Sequence, residues 1–454
     1  IGLSAALGLK SVSAGSTLIF TYSKNGKYGC QTVCDEVLEI TKLHRYGERL
    51  IDEGNKVAID RLYEYVAYQY GTDYPLSVYL KNGFAYHNGG LPQDVREYIE
   101  DYYRSRLLKI LVSNSTLAEG VNLPIRTLVV YNLRHYNRRT QRQELIPSTE
   151  IRNILGRVGR AGREKYGLAI LPDNDAEVFR TVVEALRGDN IHAIRGIFYD
   201  VIQALRQSPQ QLTDEYVNGV LVQIGASSAI DQMIYRHYGE AQADVVEHSI
   251  SDSLAFHLSD DNSRSYIRQA FRVRHDRISD SLTDDEQFAL LRQTGLDLED
   301  FMKLEELLSE DDLVRFNTES LTDEGWLENL IEIVYSMPTI APAYSYMSQD
   351  IKDVIGDKSD YASMLSQWLS GNQYWQIAED MEMDEDDVME LLGHLQYHFH
   401  MRLQGLIRYL GAKYDFSNES LSLLPECVKH GINSDIHTTL IKGGLKDRIA
   451  LHVV

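Results

Sequence analysis

The sequence GRVGR, which begins at Gly156, contains residue types at a spacing suited to binding phosphate. It lies within EIRNILGRVGRAGR (150–163), a stretch with four arginines and three glycines. Like charges this close together repel, and glycine destabilises a helix interior by about 1 kcal/mol relative to alanine. Arg157 and Arg160 are three residues apart, which in a helix puts them on one face, where both can approach the same anion. Gly156 and Gly159 leave room for that anion, so we expect a negatively charged ligand here.

Polar residues that can bind phosphate follow or end three apolar stretches elsewhere in the chain. The carboxyl ends of parallel strands meet at one edge of a sheet, where ligands bind. Helix N-termini and glycine turns add free N–H groups for phosphate oxygens. Ser115 and Thr116, at a predicted helix start, are equally suited to capping that helix.

The first 180 residues have the pattern of an α/β fold. Five apolar runs predict buried strands: TLIFTY (17–22), FAYH (84–87), KILVS (109–113), TLVVYNL (127–133) and GLAIL (167–171). Amphipathic stretches predict helices at 30–40, 94–104 and 148–155. Strands that are apolar throughout and alternate with helices indicate a parallel sheet covered on both faces. Beyond about residue 174, helical periodicity predicts a mainly α-helical region.

The net charge of −22 is unevenly distributed along the chain. Residues 1–180 contain 24 Lys and Arg against 20 Asp and Glu, whereas the remaining residues contain 21 against 47. The chain as a whole therefore lacks the basic character typical of a nucleic-acid-binding protein. A polyanion would have to meet local basic patches, and the first 180 residues are the better candidate for them.

The composition predicts a cytoplasmic protein. No uninterrupted apolar stretch approaches the roughly 20 residues of a membrane span, and no secretory signal opens the sequence. Because residue 1 is Ile rather than Met, we expect the natural N-terminus to lie upstream. Three cysteines are too few for a disulfide framework, which fits a reducing cytosol. Cys30 and Cys34 lack the other ligands of a zinc site, and their apolar neighbours predict a buried helix face, so we expect no metal site in the protein itself.

Four segments, in their order along the chain, resemble the second RecA-like lobe of superfamily 2 helicases, most closely the superkiller-like/Hel308-like branch. TLIFTYSK (17–24) resembles motif IV, and STLAEGVNLP (115–124) is similar to motif V of that branch nearly residue for residue. GRVGR resembles the core of motif VI, and AYHNGGLPQDVR (85–96) is like the segment between motifs IV and V. The resemblance covers residues 15–172.

The resemblance implies roles for individual residues. Arg157 and Arg160 would be arginine fingers on the phosphates of ATP. Gly120 and Asn122 would lie near the sugar and phosphate of the nucleotide. The residues implied to line the track of the nucleic-acid backbone, called the strand-end residues below, are Ser23, Lys24, His87, Asn88, Gly89, Ser115 and Thr116. The residues implied to bind the nucleotide are Gly120, Asn122, Asn153, Gly156 and Gly159.

Two features depart from the family pattern. The glutamine of motif VI is Asn153 here, one methylene shorter, which alters its reach to the other lobe or to bound water. The sequence also contains no G-x-x-x-x-G-K-[ST] loop and no D-E-x-H after an apolar strand, so it lacks the phosphate cradle, the metal-binding carboxylate and the hydrolytic glutamate. We therefore expect ATP and Mg²⁺ to be held mainly by a first RecA-like lobe in the same or another chain, and this chain alone to be inactive.

The resemblance also implies a division into three domains. These are the second lobe at 1–180, a helical, winged-helix-like region at 181–335, and a ratchet-like helical bundle at 336–454. The segment HLQYHFHMRLQGLIRY (394–409) carries Arg402 beside tyrosines that can stack on bases, although a solvated helix face is the alternative. The acidic helical half suggests a surface for a protein partner.

The implied activity is ATP-dependent helicase or translocase action, 3′-to-5′ along a single strand of DNA or RNA, as two lobes close around ATP. Two alternatives stay open: a non-catalytic adaptor that binds nucleic acid or a partner, and an antiviral, defence-associated helicase acting with a nuclease. Retention of Arg157, Arg160 and an intact motif V argues against the adaptor, because a scaffold needs none of them.

Overall fold

The chain separates into two compact units, which are described here from a computed structural model. The first unit comprises residues 1–193, 373–379 and 384–389, and the second comprises residues 194–372, 380–383 and 390–454. The structure describes residues 2–24, 26–44, 50–115, 123–137, 142–159, 166–172, 175–187, 196–207, 212–237, 242–251, 253–282, 284–345, 347–445 and 447–453.

A parallel sheet of five strands lies at the centre of the first unit, together with a separate antiparallel hairpin. In chain order the strands are β1 (Thr17–Thr21), β2 (Phe84–His87), β3 (Ile110–Ser113), β4 (Thr127–Asn132), β5 (Arg134–Asn137), β6 (Arg142–Leu145) and β7 (Leu168–Ile170). The sheet has the order β2-β3-β1-β4-β7, and β5 pairs with β6 in the hairpin. All five apolar runs form strands as predicted, but β7 is largely exposed, so the prediction that this strand is buried is wrong; β7 is an edge strand, with only β4 as a neighbour in the sheet. Strands β1, β2 and β3 are buried throughout, which explains their unbroken apolar character.

The helices of the first unit pack around this sheet. They are α1 (Gly2–Ser11), α2 (Cys30–His44), α3 (Lys56–Tyr70), α4 (Pro75–Lys81), α5 (Gln93–Arg104), α6 (Ser148–Leu155) and α7 (Ala176–Arg187). Helices α2, α5 and α6 confirm the three helices predicted from amphipathic patterns. Cys30 and Cys34 are fully buried on α2, as their apolar neighbours predict. The α/β fold predicted for this part of the chain is confirmed.

The rest of the chain is helical, as the periodicity beyond residue 174 predicts, and no strand follows β7 among the residues with described coordinates. The helices are α8 (Ile197–Arg206), α9 (Asp214–Gln223), α10 (Ser227–His237), α11 (Gln242–Ser251), α12 (Leu254–Leu258), α13 (Asp261–Ser281), α14 (Asp285–Thr294), α15 (Leu298–Leu307), α16 (Glu324–Tyr335), α17 (Ala341–Tyr344), α18 (Gln349–Gly356), α19 (Lys358–Ser370), α20 (Tyr374–Asp380), α21 (Glu385–His394), α22 (His400–Tyr414), α23 (Glu419–His430), α24 (Asp435–Lys442) and α25 (Arg448–Val453). Shorter helical segments are the 3₁₀ turns Val12–Ala14 and Glu310–Phe316 and the π-helix Leu395–Phe399.

Side-chain caps set where several of these helices begin. Asp260 accepts a hydrogen bond from the backbone N–H of Ser263 at the start of α13, and Asp323 does the same for Trp326 at α16. Within the described part of the chain, no helix combines the length and the apolar character that crossing a membrane requires.

Candidate nucleotide and nucleic-acid interface

Several residues predicted to contact nucleic acid lie together at the carboxyl ends of β1 and β2. Ser23 and Lys24 follow β1, and Asn88 and Gly89 follow β2. The Asn88 side-chain oxygen accepts a 2.8 Å hydrogen bond from the backbone N–H of Gly90, which closes the turn that exposes Gly89. Lys24 packs so closely over Gly90 that a Cβ there would overlap its ammonium group. Lys24 and Asn88 therefore line one small cavity.

His87 is placed differently from its neighbours. Its side chain is 2% exposed, and its Nε2 lies 2.8 Å from the Glu100 carboxylate on α5. The imidazole is thus engaged inside the unit, and a contact with nucleic acid through this side chain stays a prediction. Ser115, after β3, is half-buried, and Thr116 lies outside the described residues.

The segment that carries Arg157 lies beyond a helix rather than on one. Helix α6 ends at Leu155, and Arg157 belongs to the turn that follows, where its N–H donates to the carbonyl oxygen of Ile154. The prediction that Arg157 lies on a helix face is therefore wrong. Gly156, directly after the helix, keeps a right-handed conformation, whereas Gly159 has φ +66°, in the left-handed region that favours glycine.

The predicted nucleotide-binding residues fall partly inside this turn. Asn153 and Gly156 are exposed, and Arg157 is half-buried. Gly120, Asn122 and Arg160 lie outside the described residues. The last turn of α6 thus presents the Asn153 amide, and the turn after it presents the Arg157 guanidinium. Binding of a nucleotide by these groups stays a prediction.

The Arg157 turn lies at the amino ends of the sheet strands, whereas the strand-end residues lie at their carboxyl ends. Val158 forms a parallel bridge with Ile125, two residues before β4, and Gly159 packs against Gly167, just before β7. Both partners mark the amino ends of their strands, whereas Lys24 follows the carboxyl end of β1. Because β1 has five residues and β4 has six, a rise of about 3.3 Å per residue separates the two ends by roughly 16–20 Å. The two groups of predicted ligand-binding residues are therefore separated across the sheet.

A late segment of the chain contributes a carboxylate near Lys24. The Tyr74 hydroxyl donates a 3.0 Å hydrogen bond to Asp386, and the Tyr74 and Tyr86 hydroxyl oxygens are 3.0 Å apart. Burial raises the pKa of Asp386, and the hydrogen bond from Tyr74 and the positive charge of Lys24 oppose that rise. Asp386 also lines the cavity that contains Lys24 and Asn88. The charge of Lys24 is thus partly balanced within the first unit.

Arg402 lies in the second unit and is largely buried. Its Nη2 donates hydrogen bonds to the backbone oxygen and the hydroxyl of Thr339, at 2.7 and 2.8 Å, and its Nε is 3.7 Å from Asp300. Burial raises the pKa of Asp300 to about 6. These contacts join α22 to the segment after α16. A nucleic-acid contact by Arg402 stays a prediction.

Two structural features at the carboxyl ends of the strands are not predicted from the sequence. The β5–β6 hairpin follows β4 directly, but its strands are mostly polar and have no apolar alternation to predict them. Tyr28 and Tyr131 come together beside it, with ring centroids 6.0 Å apart. In the sequence, Tyr28 lies in the polar segment before α2 and Tyr131 lies near the end of β4, and no local pattern marks the two rings as neighbours.

Comparison with known proteins identifies similar chains. Residues 60–165 match the family model for the helicase conserved C-terminal domain. The ATP-dependent DNA helicase Hel308 of Pyrobaculum calidifontis is 34% identical over 168 residues, which are 37% of this chain and 22% of the relative. The Hel308 of Caldivirga maquilingensis is 24% identical over 392 residues, which are 79% of this chain and 48% of the relative. The chain thus spans about half or less of the length of these curated relatives.

Proposed function

Because the chain belongs to the Hel308-like branch of the superfamily 2 helicases and contains their second RecA-like lobe, we propose that it is the C-terminal part of an ATP-dependent helicase or translocase. Since these relatives are named as DNA helicases, we propose DNA as its polynucleotide. Movement 3′-to-5′ along one strand is part of the same proposal. Localisation in the cytoplasm and a protein partner on the acidic helical half belong to it as well.

In this proposal Arg157 and Arg160 act on the triphosphate of ATP. A planar guanidinium can donate two parallel hydrogen bonds to phosphate oxygens and so stabilise the charge that develops during transfer. Asn153, Gly156 and Gly159 would line the same site, with Gly120 and Asn122 near the sugar. When bound, ATP would supply the free energy of its hydrolysis, and Mg²⁺ would neutralise charge on the phosphates.

The first RecA-like lobe would supply the remaining groups of the nucleotide site. The printed sequence contains no phosphate-cradling loop of the G-x-x-x-x-G-K-[ST] type, so we expect residues 1–454 alone neither to bind ATP tightly nor to hydrolyse it. ATP turnover by this chain, measured with single-stranded DNA present, would contradict that expectation.

The observation that carries the proposal is the position of the Arg157 turn at the opposite edge of the sheet from Lys24 and Asn88. If the two edges bind different ligands, loss of an arginine finger should abolish ATP turnover without loss of strand binding. In the full-length protein we expect Arg160→Ala to lower turnover by about 10³–10⁵-fold, the range for arginine fingers. Arg160→Lys should also fail, because an ammonium lacks the planar fork of a guanidinium.

Arg163 provides the matched control, since it carries the same charge three residues further along. Arg163→Ala should leave turnover nearly unchanged. The measurements are steady-state ATP hydrolysis with saturating single-stranded DNA and filter binding of the same DNA. Equal losses of turnover for the two positions, or loss of strand binding with turnover retained, would assign the arginines to the polynucleotide instead.

A further inference from the structure

A cavity of about 450 Å³ lies at the carboxyl end of β4, beside the base of the β5–β6 hairpin. This volume falls within the range of sites that bind small molecules. Its wall includes Lys27, Tyr28, Tyr131, Arg134 and Gln143. The predicted nucleic-acid and nucleotide residues include none of these five.

Two tyrosines give the cavity an aromatic wall. The rings of Tyr28 and Tyr131 are 6.0 Å apart between centroids and inclined by 39°, and Tyr28 is 38% exposed. Burial raises the pKa of Tyr131 to about 12, so its phenol is neutral at physiological pH. An open tyrosine face is a stacking surface for any nucleobase, because every base has a π-face.

One cationic side chain on the wall of the cavity, that of Lys27, is available to bind an anion. Lys27 Nζ lies 5.5 Å from the centroid of the Tyr28 ring, and it forms no ion pair with any residue whose coordinates are described. Arg134, in contrast, is paired with Asp175 at 2.9 Å and with Glu177 at 2.7 Å. An anion entering the cavity would therefore be attracted to its Lys27 side.

Polar groups complete the wall. Glu36 contributes to the raised pKa of Tyr131, so negative charge lies near that ring and disfavours a phosphate there. Gln143, on β6, is exposed and carries an amide that both donates and accepts hydrogen bonds, which suits the edge of a base. The cavity thus combines a stacking face, one available cation and an amide.

We propose that this cavity binds one unpaired nucleobase of a polynucleotide, stacked on Tyr28, with the adjoining phosphate at Lys27. The inference rests on the proposed nucleic-acid binding of the lobe and adds a base-binding position to it. A free mononucleotide carries the same base and phosphate, and the test below distinguishes the two sources.

The test compares single-stranded DNA with a strand of the same length that has abasic sugars throughout. Both carry the same phosphates, so only the first can stack. Fluorescence anisotropy with the 454-residue chain should show tighter binding of the base-bearing strand. Tyr28→Ala should remove about 5- to 150-fold of that affinity, the range for one base stack, and leave binding of the abasic strand unchanged.

Further variants distinguish a loss of base stacking from a loss of folding. Tyr28→Phe keeps the ring and should bind as the native chain does, and Tyr131→Ala should lower the base preference as well. Tyr68→Ala is the control, because Tyr68 is an exposed tyrosine of the same unit, on α3, and does not line this cavity. Tyr68→Ala should not alter the preference for the base-bearing strand.

Equal affinity of the native chain for base-bearing and abasic strands would overturn this inference while leaving the proposed function intact. Tyr28-dependent binding of adenosine monophosphate, with no effect of Tyr28→Ala on the DNA strand, would also overturn it and assign the cavity to free nucleotides. No binding of DNA at any salt concentration would overturn the proposed function and this inference together.

Discussion

The backbone N–H of Gly159 donates a 3.1 Å hydrogen bond to the carbonyl oxygen of Ile125, which ties the turn after α6 to the amino end of β4. The turn contains Arg157, so the bond determines where that arginine lies relative to the sheet. Gly159 has φ +66°, in the left-handed region that favours glycine. A Cβ at this position would lie 2.6 Å from the backbone nitrogen of Gly167. The turn can therefore take this form only with glycine at residue 159.

We expect Gly159→Ala to displace the Arg157 turn. The strained backbone and the overlap with Gly167 should lower the free energy of unfolding by about 1–3 kcal/mol. ATP turnover of the full-length protein should fall while strand binding is kept, because the Lys24 edge of the sheet is not disturbed. Urea unfolding and steady-state ATP hydrolysis measure the two effects.

Gly219→Ala is the matched control. Gly219 lies in the interior of α9, and a Cβ there meets no neighbouring atom within 4 Å. Alanine should raise helix stability at this position by up to about 1 kcal/mol. If both alanines had the same effect on turnover, the close packing at Gly159 would not be important for activity.

Arg274 joins two carboxylates inside the second unit. Its Nε donates to Asp231 at 2.8 Å and its Nη2 to Glu299 at 2.9 Å, and both Arg274 and Asp231 are 0% exposed. Arg274→Met should lower the free energy of unfolding by about 3–5 kcal/mol, because it leaves a buried carboxyl group without its cation. Urea unfolding followed by circular dichroism measures this loss.

The comparison is Arg268→Met on the same helix. Arg268 Nε lies 2.9 Å from Glu247, and both side chains of this pair are largely exposed. Exposed ion pairs contribute about 0–1 kcal/mol, so this variant should be only slightly destabilised. Similar losses for the two variants would mean that burial does not decide the strength of these pairs.

His394 should make the second unit less stable in acid. Burial, together with the charges of His398 and Arg402, lowers the pKa of His394 from its ordinary 6.5 to about 3. The unfolded chain therefore binds a proton below pH 6.5 that the folded chain does not bind until about pH 3. The free energy of unfolding should fall by about 2 kcal/mol between pH 7 and pH 5 on this account.

His394→Gln should remove that part of the pH dependence, which urea titrations at pH 5, 6 and 7 can detect. His257→Gln is the control, since His257 is exposed on α12. A pH profile that is unchanged in His394→Gln would show that this imidazole is not the group responsible.

Lys24 is expected to contact a phosphate of the bound strand. Lys24→Gln should weaken binding of single-stranded DNA and reduce the slope of log affinity against log salt by about 0.7, the value for one phosphate on a single strand. The measurement is anisotropy of a labelled strand at several salt concentrations.

Two further variants test this prediction, one as a control and one with the opposite expected effect. Lys56→Gln should leave the slope unchanged, because Lys56 follows Asn55, whose side chain contacts Leu107 near the amino end of β3. Asp386→Asn should raise affinity, because it removes the negative charge that opposes a phosphate near Lys24. A Lys24→Gln variant with the native salt slope would exclude a phosphate contact at this residue.

The sequence alone determines the central sheet and the identity of its motifs. Strands β1, β2 and β3 are predicted because burial on both faces requires unbroken apolar runs, and such runs are local. The exposure of β7 is not predicted, because its run is equally apolar and its place at the edge of the sheet is not a local property. Motif VI can also be identified from the sequence, since its residue types occur at a fixed spacing. The form of the turn at Gly159 cannot be predicted in this way, because the end of α6 and the close packing on Gly167 both depend on the position of β7.

Only the tertiary structure decides which of the polar residues are available to a ligand. His87 and Lys24 both lie at or just after the end of a strand, yet His87 pairs with Glu100 on α5, whereas Lys24 lines a cavity. Asp386, more than 300 residues after Lys24 in the chain, also lines that cavity and accepts a hydrogen bond from Tyr74. The hairpin strand that begins at Arg134 is likewise visible only in the structure. Contacts between segments far apart in sequence depend on the path of the whole chain, and no local pattern of residues specifies them.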